Sequence, residues 1–209
     1  MSSPRQLVEG FLRFREMHFA KDDALFRELV KQGQTPKTLV VACCDARVDP
    51  ALILDCAPGD LFVIRNVANL VPPAENLGHY HGTSAALEFG VRKLKVEHLI
   101  VLGHAHCGGI RALLEGDVQK EDVFISEWMG IADAAREQVS LELAGASSAV
   151  RHRACEQQTI LVSLANLMTF SWIRERVEQG SLALHGWYFD IEHGELLGYN
   201  AASRQFEVL

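Results

Sequence analysis

Cys43, His104 and Cys107 are the residues whose types and spacing point most directly to chemistry. His104 and Cys107 stand three apart, so one tight turn can aim both at a common point. Cys43 ends a separate apolar run and would join them from a neighbouring strand. Two thiolates and one imidazole suit Zn2+, and three protein ligands leave a fourth tetrahedral position open, the pattern of a catalytic zinc. The spacing alone is equally met by buried thiols acting as small hydrophobes and a histidine that caps a helix. Asp45 and Arg47 favour the metal. An arginine beside an aspartate holds it ionised. Beside a metal that restraint has a use, because a free carboxylate would take the fourth position itself. Read as an extended segment, Cys43, Asp45 and Arg47 alternate onto one side.

Such residues need elements that bring them together. Thr38–Cys43, Asp60–Arg65 and His98–Gly103 are short apolar runs rich in β-branched residues, which predict buried strands of a parallel sheet. Thr83–Lys95 places Ala86, Leu87, Val91 and Leu94 on one helical face. Residues 108–178 read as mainly helical, with breaks near Gly116 and Gly145. Residues 182–190 return to strand, and Gly194 turns the chain into Leu196–Tyr199. At the other end, residues 5–31 are helical, with Leu7, Phe11, Phe14 and Phe19 followed by Leu25, Phe26 and Leu29 on a second segment. Strands alternating with helices predict an α/β fold: a single domain with a mostly parallel central β-sheet flanked by helices and a helical N-terminal extension. Ligands in open α/β sheets bind beyond the carboxyl ends of the strands. Two of the three clear strands end there in unusual chemistry, at Cys43–Arg47 and at His104–Gly109.

The bulk composition bounds the reading. The chain has 209 residues, 20 Lys+Arg and 27 Asp+Glu, a net charge of −7, and no basic run, which argues against nucleic acid as a partner. No apolar stretch is long enough for a membrane span. Residues 1–6 lack the apolar core and cleavage site of a secretory signal. Five cysteines cannot all pair within the chain. Together these predict a cytoplasmic protein whose cysteines stay as thiols or bind metal.

Beyond these separate signals, the chain resembles the β-class carbonic anhydrases over nearly its whole length. The resemblance rests on C-C-D-A-R-V at Cys43–Val48, R-N-V-A-N-L-V-P-P at Arg65–Pro73 and T-S-A-A-L-E-F-G-V at Thr83–Val91. G-H-A-H-C-G-G-I at Gly103–Ile110 and L-H-G-W-Y-F-D-I-E at Leu184–Glu192 complete it. It implies Zn2+ on Cys43, His104 and Cys107, with Asp45 and Arg47 as the catalytic pair. The reaction implied is reversible hydration of carbon dioxide to bicarbonate by zinc-activated hydroxide. It also implies a homodimeric building block, in some members assembled into tetramers or octamers. Residues 1–36 would then be a helical extension making dimer contacts, and 37–209 the zinc-binding domain.

The resemblance extends to a branch. Bicarbonate-regulated members carry a Trp three residues before the first Cys ligand, where this chain has Val40. Gly33-Gln34-Thr35-Pro36-Lys37 looks like the plant-type branch, with an open site in which Gln34 reaches substrate from the partner subunit. Phe62, Val67, Phe89 and Gly108 match substrate-pocket positions of that branch, although its usual Tyr is here Phe89. Cys44 and Ala46 stand where the family has Ser. With two thiolates cancelling the metal's charge, activity should rise on the alkaline side of neutrality.

Other residues read as bystanders. Cys44 and His106 should face away from the metal, Cys56 and Cys155 are core or incidental thiols, and His79 and His81 lie on a loop. There are two rival readings: a hydrolase on the same scaffold that shares the zinc set and acts on carbonyl sulfide or carbon disulfide, and a non-catalytic metal or redox sensor using the Cys43-Cys44 pair. Retention of Asp45, Arg47 and Gln34 argues against the sensor.

Overall fold

A computed structural model of the chain describes residues 3–19, 24–75, 80–117 and 121–209, so His79 lies outside the described residues. The chain gathers into two units, Met1–Thr35 and Pro36–Leu209. The first holds α1 (Pro4–Phe19) and α2 (Ala24–Gln32). Their contact is aromatic: Phe26 meets the edge of Phe14 at 5.6 Å and stacks on Phe19 at 4.9 Å between centroids. No side chain of α1 is buried.

The second unit is built on a six-stranded sheet in the order β2-β1-β3-β4-β5-β6. The strands are β1 (Thr38–Cys43), β2 (Leu61–Asn66), β3 (His98–His104), β4 (Ala183–Asp190), β5 (Glu195–Asn200) and β6 (Gln205–Val208). The first four pair in parallel, and the last two add antiparallel. β1 and β3 are buried along almost their whole length, which is why they read as continuous apolar runs rather than alternating ones. Leu39, Val41, Leu99 and Val101 pack with Leu87, Ile160, Leu167 and Ile173. Val40, Ala42, Ile100 and Leu102 form a smaller cluster with Trp187, Phe189 and Leu196. Among the described residues no helix is long and apolar enough to cross a membrane.

The helices are α3 (Pro50–Ile53), α4 (Gly82–Glu88), α5 (Gly108–Glu115), α6 (Val123–Met129), α7 (Asp133–Glu142), α8 (Ser148–Leu167) and α9 (Ser171–Glu178). α8 crosses the middle of the sheet, where a Cβ on Gly103 would come within 2.7 Å of Ile160 and one on Gly186 within 3.0 Å. Bare backbone at these two positions lets the helix lie close on β3 and β4.

Two elements differ from the sequence reading. The helix expected over Thr83–Lys95 widens into a π-helical turn at Phe89–Leu94 and stops at Lys95 in the left-handed region. Gly90 there presses its backbone against the Leu39 side chain, a contact that helical periodicity does not encode. β6 was not expected at all. It is a four-residue edge strand in which only Phe206 is partly buried, so its placement comes from pairing with β5.

Candidate metal centre

β1 and β3 are adjacent and parallel, so their carboxyl ends open at the same edge of the sheet. Cys43 closes β1, His104 closes β3, and Cys107 is the N-cap of α5. The three are buried, and their ligand atoms lie within 4.8 Å of one another. Cys107 follows His104 through a turn made possible by His106 in the left-handed region, φ 59°.

The donor chemistry fits a metal. His104 Nδ1–H donates to the Ala105 carbonyl at 2.8 Å. That bond leaves the Nε2 lone pair as the free donor, and Nε2 is buried without a hydrogen-bond partner. The Cys107 thiol donates to Cys43, which brings Cys43 well below the usual thiol range although burial opposes it. Sharing with Cys43 and burial push the Cys107 thiol up, while the Gly109 and Ile110 N–H groups pull it back. Burial lowers His104, but the nearby Cys43 sulfur, the Ala105 carbonyl and Asp45 together outweigh it and raise the imidazole. Two sulfurs competing for one proton beside an unpartnered imidazole nitrogen make a set that a soft divalent cation satisfies by displacing the protons.

Asp45 and Arg47 stand beside this set. Arg47 Nε donates to Asp45 Oδ1 at 2.9 Å and Nη2 to Oδ2 at 2.7 Å. The Arg47 guanidinium holds the carboxyl well below the usual carboxylate range, against burial that would raise it. The pair does not arise from an extended segment, as the spacing suggested. Residues 46 and 47 form a turn, with Val48 N–H on Asp45 O at 3.2 Å and Arg47 N–H on Asp45 Oδ1 at 2.9 Å. A turn meets the same two residues because the aspartate side chain accepts from the backbone two residues on. Arg65 holds the loop from below, donating to the carbonyls of Cys43 at 2.9 Å and Asp45 at 2.8 Å and pairing with Asp49 at 2.9 Å.

The remaining pocket residues divide. Asn66 lies opposite Cys43, so Val67, the next residue, is placed near the metal loop. Its carbonyl accepts from Trp128 Nε1 at 2.8 Å. Asn66 and Val67 line a cleft of about 580 Å3 together with Thr83, Phe124 and Trp128. Gly108 opens α5, and a Cβ there would meet nothing within 4 Å. Phe62, however, pairs with Leu39, four residues before the Asn66–Cys43 level. That is about 13 Å back along the strand, and Phe89 stacks on it at 5.9 Å. Within one chain these two rings therefore lie at a different level of the sheet from Val67 and the Cys43 loop. Gln34 is exposed in the N-terminal unit.

The bystanders sit as follows. Cys44 is exposed, and its N–H donates to Asn66 O at 2.8 Å. His106 turns outward to Glu192 at 2.9 Å. Cys155 is buried, and burial raises its thiol to about 11. Sequence reasoning passed over Glu156. It is 5% exposed on α8, and it accepts from Cys107 N–H at 3.0 Å and from Tyr188 OH at 2.8 Å. Burial raises its carboxyl despite both donors. A glutamate in the buried row Glu156, Ile160, Ser163, Leu167 was the available signal.

Comparison with known proteins agrees with this geometry. The family model described as carbonic anhydrase matches residues 38–196. The chain is 37% identical over 205 residues to a carbonic anhydrase of Synechocystis sp., covering 97% of this chain and 73% of that one. It is 41% identical over 188 residues to the chloroplastic β carbonic anhydrase 5 of Arabidopsis thaliana, covering 88% of this chain and 60% of that one. Among solved structures, the β-carbonic anhydrase CcaA superposes with a TM-score of 0.92 at 35% identity, over 98% of this chain and 91% of that one. A tetrameric β-carbonic anhydrase of Sordaria macrospora superposes with a TM-score of 0.83 at 29% identity, over 94% and 96%.

Proposed function

The chain belongs to the β-class carbonic anhydrases, and from that premise we propose that Cys43, His104 and Cys107 hold its zinc and that Asp45 and Arg47 are its catalytic pair. The enzyme catalyses the zinc-dependent reversible hydration of carbon dioxide to bicarbonate and a proton. The observation that carries the ligand assignment is a buried, unpartnered Nε2 on His104, whose ligand nitrogen and the two sulfurs lie within 4.8 Å of one another. When bound, zinc supplies Lewis acidity that makes hydroxide available near neutral pH.

The residues of the chain do the rest. Asp45, kept as a carboxylate by Arg47, accepts a hydrogen bond from the attacking nucleophile and orients its lone pair towards carbon dioxide. Arg47 occupies both Asp45 oxygens, which keeps the carboxylate from coordinating metal. This supports the open, plant-type reading, as does Val40 at the position of the regulatory Trp. Val67 offers apolar surface to a nonpolar substrate. Gly108 leaves room for it and exposes backbone at the start of α5.

Gln34, Phe62 and Phe89 are assigned to the site of a partner subunit in a homodimer, assembled in some states into tetramers or octamers. The distance of Phe62 and Phe89 from the Cys43 level of the sheet supports this. Residues 1–36 supply dimer contacts in the same reading, and 37–209 form the zinc-binding domain. The five free thiols support a cytoplasmic location. Zinc content measured alongside stopped-flow carbon dioxide hydration tests the assignment. One zinc per chain with rapid hydration is expected, and stoichiometric zinc without hydration overturns it.

A further inference from the structure

Glu156 lies 49 residues from Cys107 in the sequence, yet it makes the hydrogen bond that fixes the ligand's backbone. Cys107 is the N-cap of α5, so its N–H has no place in the helical ladder. The Glu156 carboxylate accepts it at 3.0 Å and is itself held at 2.8 Å by Tyr188, a fully buried side chain of β4. Arg153, almost one turn before Glu156 on α8, lies 5.2 Å over the Tyr188 ring and bonds Asp190 at 2.6 Å. Glu156 can reach Cys107 because α8 lies close on the sheet at Gly103 and Gly186, against Ile160, one turn further on. A buried carboxylate is costly to desolvate and needs partners. Both of its partners here belong to the frame of the metal turn.

We propose that Glu156, braced by Tyr188, is a positioning residue for zinc: it sets the orientation of the Cys107 peptide and through it the direction of the third ligand. It touches neither substrate nor metal. The proposal rests on Cys107 being a zinc ligand. Without the acceptor, a buried N–H is left unsatisfied and the turn from His104 to Cys107 relaxes. Groups one step behind a metal ligand commonly govern metal retention in this way.

The test compares Glu156→Leu, Glu156→Gln and Tyr188→Phe with the wild-type zinc enzyme. The readouts are zinc release to a chelator and the sulfur-to-metal charge-transfer bands of the cobalt(II)-substituted protein. Glu156→Leu should release zinc about 10–100-fold faster and shift the cobalt bands, while Glu156→Gln, which keeps an acceptor, should stay within about threefold of wild type. Wild-type release and unshifted bands in Glu156→Leu overturn the proposal. If that variant does not fold, Tyr188→Phe decides: faster release with shifted bands supports it, and wild-type behaviour overturns it. Cys107→Ser separates the two readings. If it holds zinc as tightly as wild type, the ligand assignment fails and the role of Glu156 with it, whereas weakened zinc in Cys107→Ser beside wild-type behaviour in Glu156→Leu overturns the role of Glu156 alone.

Discussion

Arg47 closes on both oxygens of Asp45, at 2.9 and 2.7 Å, and its Nη2 also donates to the carbonyl of His106 at 2.9 Å. One guanidinium therefore ties the carboxylate to the turn that carries two of the proposed ligands. Arg47→Ala should leave zinc in place and remove most hydration activity, by about 100-fold or more, because the released Asp45 takes the open position. Arg47→Lys should recover little, since an ammonium cannot replace a fork of two parallel bonds. Metal analysis beside stopped-flow rates checks both, and loss of zinc in Arg47→Ala would assign Arg47 a purely structural role.

The separation of Phe62 and Phe89 from the Cys43 level leads to a complementation test. Gln34→Ala and Asp45→Asn, each weakly active alone, should regain activity when the two chains are co-expressed. In a two-fold symmetric dimer one of the two sites in each hybrid is then intact, giving about a quarter of wild-type activity for random pairing. A mixture no better than the average of the two variants would place Gln34 in its own chain's site or outside any site.

Asp190 is 1% exposed. Burial would raise its carboxyl, but Arg153 of α8 and His193 of the β4–β5 turn, with the N–H groups of residues 192 and 193, hold it well below the usual carboxylate range. A carboxyl depressed in the folded state stabilises fully above its unfolded value near pH 4 and less as the pH falls below it. Asp190→Asn should cost about 1–3 kcal/mol at neutral pH, limited by the half-exposed Arg153, and the deficit should shrink in acid. His193 has the opposite sign: Asp190 raises its imidazole, so its contribution is complete below about pH 6.5 and fades as the pH rises. Denaturant unfolding across pH 3 to 8 measures both trends, and a pH-independent deficit would contradict them.

A Cβ on Gly109 would lie 2.9 Å from a Val67 methyl and 3.3 Å from the Ala68 Cβ, short side chains with little room to give. Gly109→Ala should destabilise the protein by about 1–3 kcal/mol. Gly108→Ala should melt at the wild-type temperature, because its Cβ meets nothing within 4 Å. Thermal melts of the two variants, adjacent in sequence, make the comparison direct. Equal melting temperatures would show that α5 shifts freely against Val67.

Much of the proposed site was legible because its chemistry is local. His104 and Cys107 share one turn, Asp45 and Arg47 another, and β1 and β3 announce themselves as apolar runs whose ends carry those turns. The route by which Asp45 meets Arg47 was misread, since two-residue spacing serves a strand and a turn alike. Glu156 left only a charge on a buried helical row, a pattern shared with many solvated helices that are merely tilted. β6 left almost nothing, because a short edge strand buries too little to impose a period.

Sequence alone offered the candidate residues for the chemistry, the order of strand and helix apart from β6, and, through its shared motifs, the resemblance to a family. The candidates and the elements follow from residue type and from periods of two and 3.6, which any stretch of chain displays by itself. Tertiary structure alone decided that Glu156 stands behind Cys107, that Phe62 and Phe89 sit away from Val67, and that Gly90, Gly103 and Gly186 are contact points rather than turns. Those are relations between segments far apart along the chain. They exist only once burial forces a carboxylate, an N–H and a tyrosine hydroxyl to find one another in the same small volume.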